Sequence, residues 1–82
     1  MDTEANMSGL TRDVHEMPDD VREAIEARGL MEAYRARPAY QQNDYVGWIT
    51  RAKQMQTREK RLQQMLTELE KGGVYMHMKW RS

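Results

Sequence analysis

The feature that most constrains this chain is the spacing Leu62, Met65, Leu66 and Leu69. Apolar residues at i, i+3, i+4 and i+7 line one side of an α-helix, because 100° per residue returns them to the same face. The surrounding residues are rich in Leu, Glu, Gln, Lys and Arg, all good helix formers. Gly72-Gly73 supplies the stop. Thr57, after the polar connection Gln54-Met55-Gln56, is the expected N-cap. A helix with one oily stripe and a charged remainder needs an apolar partner, and the rest of the chain must provide it.

Three shorter segments qualify. Pro18-Asp19-Asp20 opens a first helix over residues 18–28, since proline is tolerated in the first turn and acids there complement the helix dipole. Val21, Ala24 and Ile25 form its apolar side, and Gly29 ends it. Leu30, Ala33 and Tyr34 repeat the spacing over a short second helix that Pro38 prevents from continuing. Pro38 then opens a third helix, expected to run to about Lys53, with Tyr45, Trp48, Ile49 and Ala52 on one face. The predicted fold is all-α: a small bundle of three to four helices with flexible ends. Residues 1–16 read as a disordered lead-in, 17–72 as the helical domain, and 73–82 as a mobile or docked tail. In that tail Val74, Met76, Met78 and Trp80 alternate with Tyr75, His77 and Lys79. The pattern is that of a strand, but no second strand is visible to pair with it, so docking through Trp80 is the expectation.

With 82 residues, no cysteine and a mean hydropathy of −0.98, several classes are excluded. No apolar run approaches the roughly 20 residues of a membrane span. No disulfide scaffold or cysteine-ligated metal is possible, and the chain is too short to enclose a large active-site pocket. The net charge of zero conceals a split: residues 1–32 hold nine acids and three bases, residues 33–82 ten bases and four acids. The charges are interspersed with helical apolar positions, which favours mutual attraction of the two halves over a dedicated binding arm. Residues 1–13 lack the basic and apolar stretches of a secretory signal, so a cytoplasmic address is the expectation.

The residues able to carry chemistry are few. Thr57-Arg58-x-x-Arg61 could present helix amides and two guanidinium forks to a phosphate or carboxylate. With Leu62 set at 0°, Arg58 falls at about −40°, on the apolar face, and Arg61 at about −100°, on its flank. Arg58 is therefore expected to lay its stem on the core and pair with a carboxylate, either Asp44 or an acid of the first helix. Trp48, at the edge of its face beside Asp44 and Arg51, is a core residue or a contact for a protein partner. With Arg51 and Lys53 the candidate partner or anion contacts are Trp48, Arg51, Lys53, Arg58 and Arg61. The same corner resembles a turn and recognition helix, which makes nucleic-acid binding the alternative, disfavoured because the basic residues diverge and the domain has no net positive charge. Met76-His77-Met78 has Cu(I)-type donors, yet three adjacent ligands rarely converge, so no metal and no cofactor are expected. No nucleophile, base and cleft occur together, and the chain reads as non-enzymatic.

Tyr45-x-x-Trp48-Ile49-x-x-Ala52-Lys53 followed by Thr57-Arg58-x-x-Arg61 and the Leu/Met stripe resembles the YdeI/OmpD-associated family, also labelled OmdA or bacteriocin-protection. Pro18-Asp19-Asp20-Val21 with Ala24-Ile25 resembles its first helix, so the likeness spans about residues 17–72. It implies a small bacterial all-α domain without recognised catalytic activity. It also implies association with an outer-membrane porin, tolerance of cationic antimicrobial peptides and a periplasmic address. The last differs from the address expected of the amino-terminal residues. The resulting reading is a monomeric protein-interaction or stress-tolerance module.

Overall fold

The structure, a computed structural model, describes residues 15–80. Of the lead-in expected over residues 1–16, residues 1–14 lie outside that range, as do the last two residues of the chain. Four helices follow in order: α1 (Asp19–Ala27), α2 (Met31–Ala36), α3 (Ala39–Thr50) and α4 (Met55–Lys71). A two-stranded antiparallel hairpin completes the fold, with β1 (Val74–Tyr75) paired to β2 (Met78–Lys79).

Each boundary has a local cause. Pro18 is extended and its carbonyl accepts the Arg22 N–H, so the first turn of α1 forms with Asp19 and Asp20 at its positive end. At the other end Gly29 takes φ +68°, and the Leu30 N–H reaches back to the Ile25 carbonyl. This six-residue loop of the chain satisfies carbonyls that the helix leaves open. Arg37 is extended because Pro38 follows it, which stops α2 at Ala36. Pro38 itself stands at the N-cap position of α3.

Two boundaries differ from the expectation. α3 stops at Thr50, short of Lys53, where the Thr50 hydroxyl donates to the carbonyls of Val46 and Gly47 and the chain tightens into an Ala52 N–H to Ile49 carbonyl turn. α4 starts at Met55, so Thr57 lies inside its first turn and does not cap it. Gln54 holds the extended N-cap position, without a side-chain hydrogen bond, because Met55 and Gln56 are themselves good helix formers.

The core consists of Val21, Ile25, Tyr34, Tyr45, Val46, Ile49, Leu62, Met65, Leu66 and Leu69. The stripe of α4 packs on α3, with α1 and α2 closing the remainder. α3 is buried over a wide arc, which takes in Gln41, Val46 and Gly47 besides Tyr45 and Ile49, while Trp48 stays half-buried. Gly47 is the position where the incoming chain crosses α3. A Cβ there would stand 2.7 Å from the His15 ring, and the His15 N–H donates to Asn43 at 2.7 Å. His15, a residue expected to belong to the lead-in, is thus tied to α3.

The tail is the main correction to an all-α reading. Its alternating residues do not form one strand. They fold back on themselves about Met76 and His77, both with positive φ (49° and 67°), and Tyr75 pairs with Met78. The strand partner missing from the sequence is thus the second half of the same segment. Trp80 does dock, with the Arg37 guanidinium 4.7 Å from its ring centroid. Among the described residues no helix is long and apolar enough to cross a membrane.

Candidate functional site

The five candidate residues at the α3–α4 corner separate into two inward and two outward cations around one indole. Arg61 donates to the Trp48 carbonyl at 2.6 Å, meeting a backbone acceptor that the end of α3 leaves open, and its guanidinium lies 5.3 Å from the centroid of the Trp48 ring. Arg58 pairs with Asp20 of α1, at 3.0 and 3.1 Å to the two carboxylate oxygens. Its side chain is 21% exposed. The expected pairing of Arg58 with a carboxylate is present, with the partner drawn from the first helix. Asp44 instead accepts from the Tyr75 hydroxyl at 2.6 Å. Arg58 and Arg61 consequently face different partners and do not form a two-forked anion cradle. Arg51 and Lys53 remain exposed on the turn beyond α3, with the Arg51 guanidinium against Gly47 beside the His15 ring.

A second polar cluster was not foreseen. Glu68, on α4, is 3% exposed. Its Oε1 accepts from the Tyr45 hydroxyl and from the Met76 N–H, and its Oε2 from the His77 N–H and the Gln64 amide. Burial alone would raise its pKa, but the donors outweigh that effect: hydrogen bonds from Tyr45, the His77 and Met76 backbones and Gln64 hold the carboxyl below its ordinary value of 4.5. Tyr45 shifts the opposite way. Burial first, then its hydrogen bond and proximity to the Glu68 charge, push its phenol above the usual range, so it stays a neutral donor. Arg37, also buried, donates to the Glu68 backbone carbonyl at 2.9 Å and to the Gln41 side chain at 3.1 Å. Tyr75 completes the cluster with edge-on contacts to Tyr40 and Tyr45.

An open groove of about 440 Å³ runs between α4 and the hairpin, lined by Lys60, Gln63, Gln64, Glu68, Lys71 and His77 among others. The Met76-His77-Met78 run does not assemble as a donor set. Met76 packs on the core whereas Met78 is 60% exposed. No group of three or more His, Cys, Asp or Glu residues suited to a metal occurs among the described residues.

The class defined by this architecture is a small helical domain whose α3–α4 pair carries a half-buried tryptophan at one end and a carboxylate-pinned hairpin at the other. A family model described as "Bacteriocin-protection, YdeI or OmpD-Associated" (OmdA) matches residues 15–72, well over half of the chain, and the chain belongs to that family. The hairpin follows the matched residues, while Glu68, Tyr45 and Arg37, to which it is fastened, fall within them. No match was found among curated proteins or among solved structures.

Proposed function

We propose that the domain is a non-enzymatic protein-interaction module that presents the Trp48 corner to an acidic surface of its partner. The observation that carries this reading is the arrangement at the end of α3. A half-buried indole is held by Arg61 from one side, with exposed Arg51 and Lys53 on the adjoining turn. A rigid aromatic anchor next to cations is the pattern of an interface hot spot. The family description, with its mention of OmpD association and bacteriocin protection, points in the same direction and makes a bacterial envelope protein the first partner to try. Nucleic-acid binding is the weaker reading, because Arg58 and Arg61 are already engaged within the fold.

The test is capture of partners from a bacterial extract by the wild-type domain and by Trp48→Ala and Arg51→Glu variants of unchanged melting temperature. Loss of the same captured protein in both variants supports the reading. Equal capture by all three removes the corner from the interface. Tight duplex binding with a steep salt slope would replace this proposal with the nucleic-acid reading.

A further inference from the structure

We propose that the 74–79 hairpin is an acid-released strap: the Glu68 carboxylate holds its turn against Tyr45, and protonation of that carboxylate lets the hairpin lift from the bundle about Gly72-Gly73. The argument begins with donors and acceptors. Both Glu68 oxygens are fully committed, each to two donors: Tyr45 and Met76 on one, His77 and Gln64 on the other. An ionised carboxylate only accepts, so it suits four donors. A protonated one must donate from one oxygen, to a Tyr45 hydroxyl or a Gln64 amide that has turned round to accept, and the two backbone N–H groups then face an uncharged acceptor. Every neutral form therefore turns one of the four donors away and weakens the hold on the Met76 and His77 amides, because hydrogen bonds to a charged acceptor are roughly twice as strong as those to a neutral one.

The turn depends on those contacts. Met76 and His77 both adopt positive φ, where a two-residue hairpin loop ordinarily carries Asn and Gly. Side chains with a Cβ occupy this region at an energetic cost, so the loop closes only while surrounding contacts hold it. The strands are two residues each and cannot stand alone. The Met76 and His77 N–H groups, both 2.8 Å from Glu68, are the strap's buckle. The hinge is ready made: Gly72 has φ +81° with open space around it, and Gly73 is exposed.

Other charged groups face the buckle. Arg37 reaches it from the α2–α3 junction through the Glu68 backbone carbonyl. From α3, Tyr45 remains protonated at every relevant pH, and Asp44 holds the Tyr75 hydroxyl of the strap. On the strap itself the His77 imidazole stands 3.9 Å from Glu68 but is 79% exposed, so solvent screens its attraction. The sign follows from the depressed carboxyl: its contribution is complete above the ordinary value of 4.5 and is lost as pH falls below it. The strap is closed near neutrality and opens in acid, baring Tyr45 and the Arg37 guanidinium now covered by Trp80.

Amide hydrogen exchange on the full chain, read as protection factors by NMR between pH 7 and about pH 3.5, tests this. Protection at Met76 and His77 should fall about tenfold or more, with movement of the Trp80 indole signal, while Ile49 and Leu66 amides change by less than about twofold. Glu68→Gln should show the open strap already at pH 7 and no further pH response, although Asp44 is intact there. Tyr45→Phe, which deletes one donor to Glu68, should move the release midpoint to higher pH. The proposal is overturned if the strap amides stay protected in acid, or open only together with Ile49 and Leu66. It is equally overturned if Glu68→Gln keeps a pH-dependent strap or Tyr45→Phe leaves the midpoint in place.

Discussion

α3 and α4 meet in two different ways along their length. Through Ile49, Leu62, Met65 and Leu66 the contact is entirely apolar and excludes water, with Ile49 and Met65 at 0% exposure. Around Glu68 the same two helices meet through a carboxylate, a phenol and the backbone of a third segment. The apolar stretch is non-directional: any side chains of the right volume would hold it. The Glu68 cluster is directional, and every member must be in place for the others to be satisfied. One region sets how firmly the helices adhere, and the other decides what is fastened on top of them.

The sharpest way to separate the two is to empty the apolar stretch. Met65→Ala should lower stability by about 2–5 kcal/mol, read from urea unfolding, and should loosen strap and bundle together. Arg37→Ala should cost less, about 1–3 kcal/mol, because it strips hydrogen bonds from the Glu68 carbonyl and Gln41 and leaves a buried acceptor open. Its specific sign is a displaced Trp80 indole resonance. If Arg37→Ala were to cost more than Met65→Ala, the division of labour drawn above would be wrong. Gly47→Ala tests the amino-terminal edge of the same helix. Better helix propensity and the 2.7 Å clash with His15 oppose each other, so stability should move by no more than about 1 kcal/mol while protection of the His15 amide is lost. Smallest of all, Arg58→Ala should cost about 0.2–1 kcal/mol, since its partner Asp20 is 58% exposed. A double-mutant cycle with Asp20→Ala measures the pair directly.

The apolar stretch was legible from residue order because its signal is periodic: Leu62, Met65, Leu66 and Leu69 announce a face, and Gly29, Pro38 and Gly72 punctuate it. The Arg58 pairing was legible for the same reason, since its angular position put a charge on an oily face. The Glu68 cluster carried no such signal. At about −120° from Leu62 on a helical projection, Glu68 sits on a flank that would be solvated if nothing crossed it. It is buried because the hairpin folds back over it, and the hairpin exists because Glu68 holds its turn. Neither half of that dependence is visible in a local window. The one available hint was Gly72-Gly73 within a helical turn of Glu68, a place where the chain can reverse. Arg37 was obscured similarly, as an ordinary charged residue before a proline whose acceptor is a backbone carbonyl thirty-one residues away. The helix ends were misplaced by two or three residues where Thr50 and Thr57 behaved by context, one bonding back to its own helix and the other riding inside a first turn.

The dependence of the hairpin on Glu68 also orders events in time. The receptor for the Met76 and His77 amides comes into being only when α3 has brought Tyr45 against α4, so the hairpin is the last piece to assemble and the first to leave. Substitutions at Tyr75 or Met76 should therefore accelerate unfolding and leave the refolding rate nearly untouched, whereas those at Ile49 or Leu66 should slow refolding itself.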